Sequence, residues 1–284
     1  MERELIREDV TLRFEVAGPE NGPLALCLHG FPDTPYTFRH LVPRLVERGY
    51  RVATPWSRGY APSSTSSSAN YRLSALVDDV IALHHELKGD ERTLLVGHDW
   101  GAAIAYGASA LAPERWNRCV AMAVPPLAVL APALFRFEQA RRSWYMWFFN
   151  GPFAESVVAA DDFSFLDDLW SSWSPGYDAA DDLAQVKSCF SNPASLGAAL
   201  AYYRMMFAAP DDDGALAAAQ SRPPSVATLY LHGKDDGCIG AHILTGVEDH
   251  LAPASRVSVL AGAGHFVHLE APEATWREID SFLP

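Results

Sequence analysis

A carboxylate stands at the centre of a glycine-flanked stretch, Gly97-His98-Asp99-Trp100-Gly101. Residues 94–96 before it are apolar, and a helix rich in small residues is predicted after it. Small residues two positions either side of a central side chain are typical of a sharp strand-to-helix turn that lifts a nucleophile above a sheet. A carboxylate there attacks saturated carbon and forms an ester with it. The stretch therefore predicts hydrolytic displacement at carbon, with a purely structural turn as the alternative.

Two further ionisable groups follow predicted strands nearer the end of the chain. Asp236 comes after residues 226–231, and His265 comes after residues 256–260. Catalytic groups of open α/β sheets lie beyond the carboxyl ends of strands, and the order nucleophile, acid, histidine is that of an α/β-hydrolase triad. His265 would activate water against the Asp99 ester, and Asp236 would orient the imidazole. Asp235 is the competing candidate for the orienting acid.

Hydrolysis of an Asp99 ester places negative charge on a carboxylate oxygen, which needs two preorganised donors. The backbone N–H of Trp100 is one candidate, since it lies at the start of a helix. The other is the Phe31 N–H in the loop His29-Gly30-Phe31-Pro32, which follows the apolar run at residues 24–28. His29 in this loop is equally explained as a structural turn residue. That role is compatible with the loop supplying an oxyanion donor.

Strands and helices alternate along most of the chain, which predicts an α/β fold with a mostly parallel central sheet flanked by helices. The predicted strands are residues 10–17 (an antiparallel edge strand), 24–28, 51–54, 94–96, 119–124, 226–231 and 256–260. The predicted helices are residues 36–47, 73–87, 102–111, 215–220 and 272–283. Residues 126–213 lack strand character and are rich in aromatics, so we expect an all-helical cap inserted between core segments 1–125 and 214–284.

The composition excludes several classes of partner. The 284 residues are 49% hydrophobic and carry a formal charge of −13, which disfavours nucleic acid and anionic membrane as partners. No apolar run is long enough to span a bilayer, and residues 1–9 alternate in charge without a signal region. With four scattered cysteines, these features predict a soluble, cytoplasmic protein. The acidic clusters show no metal-binding spacing, so no metal is expected.

Four motifs together resemble the epoxide hydrolases of the α/β-hydrolase fold, and the resemblance covers nearly the whole chain. They are His29-Gly30-Phe31-Pro32, Arg58-Gly59-Tyr60, Gly97-His98-Asp99-Trp100-Gly101 and Gly264-His265-Phe266-Val267-His268-Leu269-Glu270. The resemblance implies the triad Asp99, Asp236 and His265, and it favours Asp236 over Asp235. We expect the substrate to be bordered by His29, Pro32, Trp100 and Phe266.

Two segments of the expected cap resemble those that carry proton-donating tyrosines in epoxide hydrolases. The segment Trp144-Tyr145-Met146-Trp147 implies Tyr145 as the first donor, and Ala201-Tyr202-Tyr203-Arg204 implies Tyr203 as the second, with Tyr202 as the nearby alternative. A phenol with an ordinary pKa near 10 stays protonated at neutral pH and can protonate the alkoxide of an opening epoxide. Packing within an aromatic-rich cap is the simpler alternative for both tyrosines.

The sequence therefore predicts an epoxide hydrolase that forms vicinal diols from an apolar epoxide and water, without cofactor or metal. We expect the cap aromatics either to cover the active site or to form the face of a homodimer. The first alternative is a haloalkane dehalogenase with Trp100 as a halide donor, which Phe31 disfavours because those enzymes usually carry Asn or Glu there. The second alternative is a hydrolase-fold protein that binds a ligand without turnover.

Overall fold

An eight-stranded sheet forms the centre of the computed structural model, which describes residues 2–208 and 214–284. The strands are β1 (Glu2–Ile6), β2 (Thr11–Ala17), β3 (Leu24–Leu28), β4 (Arg51–Pro55), β5 (Thr93–His98), β6 (Trp116–Met122), β7 (Thr228–Gly233) and β8 (Arg256–Leu260). Their order across the sheet is β1-β2-β4-β3-β5-β6-β7-β8. β2 runs antiparallel to both its neighbours and the six strands from β4 to β8 pair in parallel, which confirms the predicted mostly parallel sheet.

Helices cover both faces of the sheet. The helices are α1 (Leu41–Glu47), α2 (Leu73–Glu86), α3 (Trp100–Leu111), α4 (Leu127–Leu134), α5 (Phe137–Arg142), α6 (Trp144–Phe148), α7 (Ala154–Val158), α8 (Ala160–Trp173), α9 (Ala180–Phe190), α10 (Pro193–Met206), α11 (Gly214–Gln220), α12 (Val267–Glu270) and α13 (Pro272–Phe282). Seven of them, α4 to α10, follow β6 in succession. The predicted end of the cap at residue 213 lies outside the described residues.

The alternation of side chains along buried strands divides the core into two apolar layers. In β5, Leu94 and Val96 belong to one layer and Leu95 to the other. The layer containing Leu95 continues into helix α4 and helices α6 to α10, so the helical segment packs on the same face of the sheet. Within the described residues, no helix is both long and apolar enough to cross a membrane.

Two local predictions were wrong. The strand at residues 11–17 is not an edge strand, because β1 pairs along its outer side. The charged alternation in β1, with Glu2 and Glu4 exposed, suits a solvated sheet edge. The helix predicted over residues 36–47 is a 3₁₀ turn, Pro35–His40, followed by α1. Pro43 has no N–H to donate to the carbonyl four residues earlier, which interrupts an α-helical ladder at that point.

Candidate active site

The turn between β5 and α3 holds Asp99 in a strained conformation, with φ 53° and ψ −117°. Positions 97 and 101, two residues before and after Asp99, must be glycine because neighbouring backbone atoms leave no space for a side chain. A Cβ at Gly101 would lie 1.8 Å from the Leu28 carbonyl oxygen, and one at Gly97 would lie 2.1 Å from the Gly101 carbonyl oxygen. The turn therefore has the geometry of a nucleophile elbow, with Asp99 at its tip.

The loop after β3 contributes a backbone donor to Asp99. The Phe31 N–H donates to Asp99 Oδ1 over 2.8 Å. Gly30 makes this approach possible, because a Cβ there would lie 2.4 Å from Asp99 Oδ1. Among the hydrogen bonds of the described residues, none joins the Trp100 N–H to the Asp99 carboxylate. One of the two predicted oxyanion donors is thus engaged with Oδ1, which leaves Oδ2 free of a backbone donor.

Asp236 and His265 meet where the loops after β7 and β8 converge. His265 Nδ1 lies 3.0 Å from Asp236 Oδ2. The other carboxylate oxygen, Oδ1, accepts hydrogen bonds from the N–H groups of Cys238 and Ile239 at 2.7 and 2.8 Å. These bonds fix the carboxylate and leave Oδ2 for the imidazole. Asp235, the alternative acid, is exposed to solvent.

The second nitrogen of His265 faces Asp99, with Nε2 at 3.6 Å from Asp99 Oδ2. Burial disfavours the imidazolium, but the two nearby carboxylates outweigh burial and raise the pKa of His265 to about 10. Burial likewise opposes ionisation of Asp99, yet the nearby charge of His265 lowers the pKa of that carboxyl below its ordinary value. At neutral pH the free site therefore holds an imidazolium between two carboxylates.

Three buried tyrosines lie near Asp99, and their hydroxyl groups have different partners. The Tyr202 hydroxyl donates to the Arg58 carbonyl oxygen over 2.7 Å. The Tyr145 hydroxyl lies 3.2 Å from Cys238 Sγ. The buried Tyr203 hydroxyl makes no hydrogen bond of ordinary geometry, although the Trp100 and Tyr145 side chains lie close to it, and its ring packs edge-on against those of Tyr145 and Trp100. Burial raises the pKa of all three phenols well above 10, so all three remain protonated.

A cavity of about 410 Å³ opens over Asp99. Asp99, Trp100 and Tyr203 line it, and most of the remaining wall is apolar, including Val124, Leu127, Leu130, Met146, Met205 and Leu216. A cavity of this character suits an apolar small molecule.

The other three residues expected to border the substrate are not among those that line this cavity. His29 is held by the backbone, because its Nδ1 bonds the Gly30 carbonyl and its Nε2 accepts from the Ser57 N–H. Pro32 and Phe266 are covered by Trp170, whose indole N–H donates to the Pro32 carbonyl and whose ring stacks on Phe266.

The C-terminal end of α8 positions both loops of the acid–histidine pair, which sequence reasoning missed. The Trp173 carbonyl accepts hydrogen bonds from the N–H groups of His265 and Gly237, at 3.1 and 3.0 Å. Buried Gln139 in α5 bonds the Cys238 carbonyl and the Gly240 N–H. The aromatic residues of the helical segment were the only signal in the sequence for this contact. They did not indicate which backbone groups of the two loops would be hydrogen-bonded.

The chain is similar to known proteins over nearly its whole length. Residues 23–272 match the family described as alpha/beta hydrolase fold. The chain is 30% identical to the AB hydrolase superfamily protein YfhM of Bacillus subtilis, over 96% of this chain and 94% of the relative. It is 29% identical to Epoxide hydrolase 3 of Mus musculus, over 96% of this chain and 73% of the relative. The structure of Epoxide Hydrolase A from Mycobacterium thermoresistibile superposes with a TM-score of 0.79 at 25% identity, covering 100% of this chain and 98% of that one.

Proposed function

The chain belongs to the α/β-hydrolase-fold family as one of its epoxide hydrolases, and we propose that it converts an apolar epoxide and water into a vicinal diol through an ester on Asp99. The residues that carry the reaction are Asp99, Asp236, His265, Tyr145 and Tyr203. The apolar wall of the cavity over Asp99 supports the substrate class.

In the first step, Asp99 Oδ2 attacks an epoxide carbon and the carbon–oxygen bond of the ring breaks. The Phe31 N–H on Oδ1 orients the carboxylate for this attack. The departing oxygen takes a proton from a phenol, Tyr203 or Tyr145. The product of this step is an ester of Asp99 with a free hydroxyl group on the adjacent carbon.

In the second step, His265 removes a proton from water, which attacks the Asp99 ester carbonyl. Formation of the ester removes one of the two negative charges that raise the pKa of His265 to about 10. Its imidazolium can then return a proton to the phenolate left by the first step and become a base. Collapse of the tetrahedral intermediate releases the diol and restores the Asp99 carboxylate and the imidazolium.

The observation that carries the proposal is the Tyr203 hydroxyl, which is buried and makes no hydrogen bond of ordinary geometry in the cavity that also contains Asp99. A buried hydroxyl without a hydrogen bond costs free energy unless a ligand engages it. Opening of an epoxide needs such a donor, because it generates an alkoxide. Departure of a halide generates no alkoxide and needs no general acid, so this feature favours the epoxide over the haloalkane.

The test uses His265→Gln protein, in which the ester should form but hydrolyse slowly. The protein is incubated with a mixture of small apolar epoxides and bromoalkanes, and any adduct is measured as intact mass and located by peptide mapping. We expect a gain equal to one whole epoxide on the peptide containing Asp99. The matched control, His84→Gln, removes a different buried histidine, which lies against Trp116, and should hydrolyse the epoxides without accumulating an adduct.

Two outcomes would contradict the proposal. A gain of an alkyl group without bromine would make the chain a dehalogenase. Turnover of epoxide by the wild-type protein with no label on Asp99 in the variant would exclude the ester mechanism.

A further inference from the structure

Three buried polar residues meet behind the catalytic groups, one from the loop after β3, one from the end of β5 and one from α12. Asp33 lies two residues after Phe31 in the oxyanion loop, His98 precedes Asp99 in the elbow, and His268 lies three residues after His265. Each is at most 3% exposed. The three residues, here called the Asp33–His98–His268 cluster, take no part in the mechanism proposed above.

One side-chain atom of each residue is buried and lacks a hydrogen-bond partner, namely Asp33 Oδ2, His98 Nδ1 and His268 Nδ1. Each residue also offers one potential ligand atom, a histidine nitrogen or a carboxylate oxygen, and these three ligand atoms lie within 4.8 Å of one another. His98 Nδ1 is 3.5 Å from Asp33 Oδ2. Burying three polar atoms without partners is costly, and the cost falls if a common ligand engages all three.

The opposite nitrogen of each histidine is already bonded to an oxygen. His98 Nε2 lies 3.0 Å from the His265 carbonyl, which can only accept, so Nε2 carries the proton and Nδ1 presents a lone pair. His268 Nε2 bonds the Thr37 hydroxyl. Histidines that ligate metals commonly bond an oxygen through their other nitrogen, which fixes the ring and its tautomer.

The charge of the cluster also suits a cation. The Asp33 carboxyl group is buried, its Oδ1 accepts from the Thr34 N–H, and its Oδ2 lies 3.5 Å from His98 Nδ1. Two imidazoles and one carboxylate form a ligand set that first-row divalent metals bind in proteins.

We propose that Asp33, His98 and His268 bind a divalent transition metal, with Zn²⁺ as the first candidate. The metal would be structural, because it would join the oxyanion loop, the elbow and helix α12 behind the reacting atoms. Through the hydrogen bond from His98 to the His265 carbonyl, it would also limit movement of the catalytic histidine.

A second group of described residues, Asp236, Cys238 and His265, also has potential ligand atoms within 4.8 Å of one another. Two of its members form the acid–histidine pair, so a metal there would compete with the reaction. This group is therefore the competing site that the experiment must exclude.

The experiment measures binding directly. Protein freed of metal with a chelator is titrated with Zn²⁺, the bound metal is determined by elemental analysis after desalting, and the thermal midpoint is recorded with and without Zn²⁺. We expect one Zn²⁺ per chain and a higher midpoint, since a ligand that binds only the folded state stabilises it. The His268→Gln and Asp33→Asn variants should lose both effects, and the midpoint of each without metal shows whether it folds.

Two controls locate the metal. Cys238→Ser removes a ligand of the competing site and should still bind one Zn²⁺, and His84→Gln should do the same. Co²⁺ in place of Zn²⁺ should give ligand-field absorption without the thiolate charge-transfer band that Cys238 would produce. Absence of bound Zn²⁺ in the wild-type protein would overturn the proposal and indicate that water or protons satisfy the cluster. Loss of binding in Cys238→Ser, or its persistence in both His268→Gln and Asp33→Asn, would overturn it as well.

Discussion

Asp236 Oδ2 lies 3.0 Å from His265 Nδ1, and both side chains are fully buried. A charge pair this close with little solvent contact shifts protonation strongly. Folding raises the pKa of His265 from 6.5 to about 10, so the native protein binds more protons than the unfolded chain between those pH values. The resulting stabilisation is fully present below pH 6.5 and is lost as the pH rises through about 10.

We therefore expect Asp236→Asn to reduce the free energy of unfolding in a pH-dependent way. The loss relative to wild type should be largest near pH 6.5 and shrink towards pH 10. Denaturant unfolding across this range measures it. Asp235→Asn is the matched control, because Asp235 is the exposed neighbour and its loss should change stability little at any pH. A constant difference between wild type and Asp236→Asn across the range would contradict the assignment.

The neighbouring tyrosines of α10 should respond oppositely to loss of their hydroxyl groups. Tyr203→Phe should lower kcat about 10²-fold to 10⁴-fold, the usual effect of a general acid, with little loss of stability. Tyr202→Phe should retain activity but destabilise the fold by about 1–3 kcal/mol, because the buried Arg58 carbonyl loses its donor. Steady-state kinetics on an epoxide and thermal unfolding measure the two effects. The reverse pattern would make Tyr202 the acid.

Two glycine-to-alanine substitutions distinguish a glycine needed for close contact with Asp99 from a glycine in an ordinary helix position. Gly30→Ala places a methyl group 2.4 Å from Asp99 Oδ1, so the loop must retreat and the Phe31 N–H bond must lengthen. We expect a loss of kcat about 10²-fold or more, as for removal of an oxyanion donor. Gly197→Ala, in α10 with open space around it, should stabilise the protein by about 0.5–1 kcal/mol and leave kcat unchanged. Equal activity of both variants would exclude a role for the oxyanion loop.

The sheet and the triad candidates could be predicted because their signals are local. Asp99, Asp236 and His265 each follow an apolar strand, and parallel strands bring their carboxyl ends to one edge of the sheet. The Asp33–His98–His268 cluster could not be predicted, because it depends on how three segments distant in sequence pack together. The partners that distinguish Tyr202 from Tyr203 are also tertiary contacts. β1 was missed because its charged residues lack an apolar pattern.

The four cysteines should resist alkylation in the native protein. All four are buried, and burial raises the pKa of Cys119 and Cys189 to about 12 and that of Cys238 well above its ordinary value of 9.0. The thiolate is the reactive form, so a buried neutral thiol is inert even beside the catalytic groups. Iodoacetamide at pH 8 should therefore modify none of them in the native protein and all four in urea, as measured by intact mass. Fast modification of Cys238 alone would show instead that the thiol beside Tyr145 is open to the cavity and ionises there.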